Sequence, residues 1–149
     1  MPYEFYNPNP KNQKVGDCAV RAICKALGTD WQDAYVSLCA EGLVWKDMPS
    51  SNFVWGNYLK RFGFIEHIIS SVCPNCITVS EFAKDHPEGR YVLVCQNHTL
   101  AVVDGIYYDA WDSGNEADDI WMVMDELMQT IQILNPRLYR ATLDRIKGD

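Results

Sequence analysis

NHTLAVVDGIYYDAWD, residues 97–112, reads as two β-strands joined by Asp104-Gly105. An Asp-Gly pair between apolar, β-branched runs predicts a hairpin, because a two-residue type I′ turn needs positive φ at both central positions. With Asp104 and Gly105 as the turn, Val103 pairs with Ile106, Leu100 with Asp109 and His98 with Trp111. Side chains alternate along a strand, so His98, Leu100, Asp109 and Trp111 share one face. Asp109 is then a diagonal neighbour of His98, within reach of its ring. The hairpin alone supplies an imidazole with an orienting carboxylate, a pairing that structural ion-pair networks also use.

Outward from the hairpin, RYVLVCQ (90–96) is a second β-rich run and FIEHII (64–69) a third. The N-terminal half is helical. Asp17 is placed to cap a helix through AVRAICKAL that stops at Gly28. Thr29-Asp30-Trp31-Gln32 has the form of a capping box, starting a helix that ends near Gly42, with a loop over 43–50. Ser51 caps a third helix closed by Gly63, and Thr78 with Glu81 forms a capping box before a short helix that cannot pass Pro87. The first fourteen residues, rich in Pro and Asn, read as an extended arm or loop. IWMVM (120–124) fits a strand or a helix start, and the rest of the tail is helix-compatible. Helices followed by an antiparallel sheet predict a single α+β domain over 1–149, with a helical C-terminal extension at 115–149.

The 149 residues, 48% hydrophobic and 22% charged, suit one globular domain. The net charge of −7 and the lack of a basic stripe give no footing for nucleic acid. Neither a signal peptide nor a transmembrane run is apparent, which predicts a cytoplasmic protein that does not enter membranes. In that setting the six cysteines (Cys18, Cys24, Cys39, Cys73, Cys76, Cys95) read as reduced thiols rather than a disulfide framework.

Cys18 stands out among them. It follows Gly16-Asp17 in the first turn of the predicted helix, where the dipole favours a thiolate, and Gly16 leaves room for a substrate backbone. Against this stands the reading of Cys18 as a small core residue, the common fate of an unpaired cysteine. A thiolate nucleophile needs a base, and His98 is better placed for that than His67 or His86. Acyl transfer also needs donors for an oxyanion: the Cys18 N–H and a side-chain amide just before it, Gln13 or Asn12.

These residues in this order resemble the papain-like cysteine peptidase superfamily. Gln13 matches that family's oxyanion-hole glutamine, Gly16-Asp17-Cys18-Ala19 its Gly-Ser-Cys-Trp, His98 its histidine, and Asp109-Ala110-Trp111 its Asn-Ser-Trp. Through WDSG (111–114) the pattern is also similar to small papain-like hydrolases common in bacterial and phage genomes. The likeness covers roughly residues 12–114. Ala19 replaces the usual Trp, and the Gln-to-Cys spacing of five is that of Josephin-type deubiquitinases rather than papain's six. The resemblance implies a thiol hydrolase acting on a peptide or protein substrate, with Cys18 as nucleophile, His98 as base, Asp109 as orienting group and Gln13 in the oxyanion hole, and without metal or cofactor. The same triad serves an amidase, deamidase or acyltransferase, and an idle version would be a peptide-binding module.

Cys73-Pro74-Asn75-Cys76 lacks the second pair that a zinc site requires, and its helix begins too late for a thioredoxin-like motif, so it reads as two thiols in a loop, with a redox role or partial metal ligation as the competing readings. Trp45, Trp55 and Trp111 are candidates for the wall of a substrate cleft, and Glu116, Asp118 and Asp119 for a solvated helix start.

Overall fold

The computed structural model describes residues 2–69, 76–114 and 120–126. Among them are four helices and one six-stranded sheet, a mixed α+β architecture. The elements are β1 (Tyr3–Phe5), α1 (Cys18–Leu27), α2 (Trp31–Trp45), α3 (Asn52–Lys60), β2 (Phe64–Ile68), α4 (Val79–Asp85), β3 (Arg90–Cys95), β4 (His98–Val103), β5 (Ile106–Asp109) and β6 (Met122–Glu126). The sheet order is β1-β5-β4-β3-β6-β2; all neighbours are antiparallel except β1 and β5. Among the described residues no helix is long and apolar enough to cross a membrane.

The β4–β5 hairpin forms around Asp104 (φ 50°) and Gly105 (φ 81°), with Val103 opposite Ile106. Its ladder stops at Ala101↔Tyr108, short of the expected Leu100↔Asp109 and His98↔Trp111 pairs. Another strand takes over there: the Asp109 carbonyl accepts from the Tyr6 N–H (2.8 Å). The N-terminal arm is therefore extended at its start, where Tyr3–Phe5 forms a parallel edge strand on β5, and irregular from Tyr6 to Lys14. A further two-residue turn, Gln96-Asn97, joins β3 to β4, with Asn97 at φ 58°.

Alternation along β3 divides the core. Val92 and Val94 meet α1 and α2 on one face, whereas Tyr91 and Leu93 meet α4 on the other. Helix α1 is apolar almost all round (Ala19, Val20, Ala22, Ile23, Ala26) and buried accordingly.

Several boundaries differ from expectation. Asp30, not Thr29, caps α2 by accepting from the Asp33 N–H (2.8 Å). The helix runs past Gly42 to Trp45, because Lys46 takes the left-handed C-cap (φ 57°) and its N–H bonds the Gly42 carbonyl. Gly42 serves packing instead: a Cβ there would lie 2.6 Å from the Asp47 carbonyl oxygen. The caps at Ser51 and Thr78–Glu81 form as expected. Met122–Glu126 is a strand between β3 and β2, so the helical extension does not begin at 115; the expectation for 127–149, and the acidic run Glu116, Asp118 and Asp119, lie outside the described residues. Met122 and Met124 face one core layer and Val123 the other, the period of a strand buried on both faces.

Candidate active site

Cys18 is the first residue of α1, so its N–H has no acceptor within the helix. His98 begins β4 and Asp109 ends β5. The imidazole Nε2 lies 2.6 Å from Asp109 Oδ2, and the Cys18 thiol is hydrogen-bonded to His98 and to the Thr99 backbone N–H. With Nε2 facing the carboxylate, Nδ1 is the ring nitrogen left for sulfur. The structure thus brings together Cys18, His98 and Asp109.

Electrostatics favour an ionised pair. Burial pushes the Cys18 thiol up, but the hydrogen bonds from His98 and Thr99, with the positive charges of His98 and Arg21, outweigh it and hold the thiol below its ordinary value. Burial alone would lower His98; the hydrogen bonds to Asp109 and Cys18 raise it to about 9. Both shifts favour thiolate with imidazolium over the neutral pair.

Asp109 is 2% exposed and all of its acceptor capacity is engaged. Oδ2 accepts from His98 and from the Ser113 hydroxyl (2.7 Å); Oδ1 accepts from the Ala110 N–H (2.8 Å) and faces Arg21 Nη2 at 3.5 Å. Arg21 is itself buried and also binds Asp17 through Nη1, while Trp31 Nε1 donates to the second Asp17 oxygen (2.9 Å). Asp17 therefore occupies the N-cap position without capping through its side chain: its carboxylate is turned to Arg21. The negative charge beside Cys18 is thereby compensated rather than set against thiolate formation. Sequence reasoning missed Arg21 and Ser113. The signal for Arg21 was a cation early in the apolar run AVRAICKAL, four residues after Asp17, where an unpaired charge could not be buried.

Gln13 does not join the triad in this structure. It is exposed, its side chain makes no hydrogen bond among the described residues, and its backbone carbonyl accepts from Asn7 Nδ2 (3.3 Å). Asn12, also exposed, sits in a turn at φ 53°. A Cβ on Gly16 would meet nothing, so the approach to Cys18 from that side is open.

Trp111 packs against His98, ring centroids 4.5 Å apart, and shields one side of the imidazole. Trp55 is no cleft residue: it is fully buried on the core side of α3. Trp45 packs on Phe53 and donates to Glu41, away from Cys18. His67 pairs with Asp125 at 3.5 Å and His86 Nδ1 with the Phe82 carbonyl, so neither approaches the thiol. Cys76 is disulfide-bonded rather than a thiol, and Cys73 lies outside the described residues. Among the described residues no group of three or more His, Cys, Asp or Glu is arranged to hold a metal ion. Comparisons with family models, curated proteins and solved structures find no match to the chain.

Proposed function

We propose that the chain is a papain-like cysteine hydrolase that cleaves an amide or peptide bond, isopeptide bonds included, through a thioester. The observation that carries this reading is one arrangement: a helix-start thiol hydrogen-bonded to an imidazole whose far nitrogen lies 2.6 Å from a buried carboxylate. An ion-pair network for stability alone would not need a half-buried cysteine at its open end.

In the reaction the Cys18 thiolate attacks the carbonyl carbon, and the carbonyl electron pair moves to oxygen. The unpaired N–H of Cys18 donates to that oxyanion, with Gln13 or Asn12 on the preceding loop as candidate second donor. Collapse breaks the C–N bond, and His98 gives its proton to the departing amine. His98, now neutral, takes a proton from water as it attacks the thioester, which releases the acid and restores the ion pair. Asp109 keeps Nε2–H oriented throughout and stabilises the imidazolium. An amine in place of that water would give acyl transfer from the same intermediate.

Iodoacetamide alkylation across pH 4–9, followed by peptide mass spectrometry, tests the reading. Cys18 is expected to react first, well below the ordinary thiol range near 8.5. His98→Ala is expected to move its half-reaction pH upward, because the cation that favours the thiolate is gone. A Cys18 that titrates with Cys39, or is indifferent to His98→Ala, would sink the hydrolase reading.

A further inference from the structure

Beside Cys18 lies a cavity of about 380 Å³, walled by the β3–β4 turn on one side and the start of α3 on the other. We propose that it is a side-chain pocket for a carboxamide, so that the preferred substrate carries Gln or Asn within two residues of the bond cut. The proposal rests on the hydrolase reading above and adds the class of substrate to it.

The lining chemistry carries the argument. Ser50, Asn52, Gln96, Asn97 and Thr99 supply hydrogen-bonding side chains, all without charge. Apart from the reacting pair Cys18 and His98 and the buried thiol of Cys95, no lining residue among those described is ionisable. A Lys, Arg, Asp or Glu side chain entering here would lose hydration and meet no counter-charge beyond the reacting pair, whose charges already offset one another, which is costly. A purely aliphatic side chain would strand several amide donors and acceptors instead. A carboxamide both donates and accepts, which is what a ring of amides and hydroxyls can satisfy.

Asn52 gives the pocket a fixed polarity. Its Oδ1 accepts from Trp55 Nε1 (3.1 Å), and Trp55 is fully buried in the core, so the amide cannot flip without abandoning that bond. The Nδ2 hydrogens are thereby presented as donors, suited to the carbonyl oxygen of a substrate carboxamide. The opposite wall is also rigid. Gln96 and Asn97 form a two-residue turn with Asn97 left-handed, and Trp121 is held by its Nε1–H donating to the Cys95 carbonyl (3.3 Å). A pocket organised before binding spends little on ordering its own groups.

The test uses dipeptidyl fluoromethyl ketones carrying Gln, Glu, Lys or Leu at the first or second position from the reactive carbon. Second-order inactivation is read as alkylation of Cys18 by mass spectrometry. Gln is expected to exceed Glu and Lys at least about tenfold at one of the two positions, the scale set when a site built to hydrogen-bond a group meets one that cannot reciprocate. Asn52→Asp keeps the acceptor for Trp55 and suits a helix start, yet replaces the donors with a negative oxygen. It should invert the order, Lys over Gln; Asn52→Ser should erode the Gln preference without favouring Lys. Glu, Lys or Leu fastest at both positions in the wild type, or an unchanged order in Asn52→Asp, would overturn the proposal. The iodoacetamide profile of the wild type separates the two levels. An activated Cys18 with the wrong order removes only the pocket assignment; an unactivated Cys18 removes the hydrolase reading and the pocket with it.

Discussion

Asp109→Asn is expected to lower turnover of the best wild-type peptide amide by about three to four orders of magnitude, the loss seen when a triad carboxylate becomes an amide. The substitution is nearly isosteric, so a loss that large needs a local reason. Asp109 accepts on both oxygens: His98 and Ser113 on Oδ2, the Ala110 N–H and Arg21 on Oδ1. An amide has one oxygen. If that oxygen faces His98, the amide NH₂ is driven against the Ala110 N–H and the Arg21 guanidinium; if it faces those, NH₂ meets the imidazole and the required tautomer is lost. The pH dependence follows with the same sign. Hydrogen bonding to Asp109 is the chief influence lifting His98 to about 9, so its loss lets His98 fall and the alkaline edge of Cys18 reactivity moves to lower pH. A neutral His98 also withdraws the charge that lowers Cys18, so the acid edge moves up and the ion-pair window narrows from both sides. Alkylation of Cys18 across pH reads both edges without a substrate. Turnover within a few-fold of wild type would show that His98 is oriented by its packing on Trp111 rather than by the carboxylate.

How much of this was legible in the sequence depended on the range of the interaction. The hairpin was legible because Asp104-Gly105 fixes its own turn, and from the turn followed the approach of His98 to Asp109, eleven residues away along the chain. The helix caps at Ser51 and Thr78 were local in the same sense. The place of Met122–Glu126 was not: a short apolar run has no period that tells a strand buried on both faces from a buried helix turn. Its partners, β3 and β2, come from distant segments, and nothing near residue 122 announces them. The pairing of the N-terminal arm with the sheet was missed for a similar reason, since Tyr3–Phe5 is a strand only because β5 offers it an edge. In the site, the residue types that bear chemistry could be picked out by order and spacing. The groups that hold them could not. Whether Asp17 would cap a helix or bind Arg21 was decided by the burial of Arg21 between α1 and β5, a tertiary fact.

That burial makes Arg21→Met the second substitution with a large expected effect. Arg21 is the cation between Asp17 and Asp109, and with Cys18 ionised the cluster holds three negative groups against Arg21 and His98. Removing one partner of a buried ionic network costs about 3–5 kcal/mol, because the remaining charges stay buried and uncompensated. For a domain of this length that corresponds to a drop in Tm on the order of 10 °C, measurable by calorimetry or thermal unfolding. Methionine fills much the same volume, so packing loss contributes little and the deficit reports charge. A second readout separates positioning from stability. The positive charge of Arg21 is one of the influences holding the Cys18 thiol down, so Arg21→Met should shift the acid edge of Cys18 alkylation to higher pH even at temperatures where the variant is fully folded. Arg21→Lys restores the charge but not the fork that lets one side chain serve Asp17 through Nη1 and Asp109 through Nη2. It should recover most of the alkylation profile and only part of the stability. A methionine variant that melts like the wild type and alkylates at the same pH would mean that the two carboxylates are neutralised by protonation. Arg21 would then be a bystander, and the thiolate at Cys18 would owe its stability to His98 and the Thr99 N–H alone.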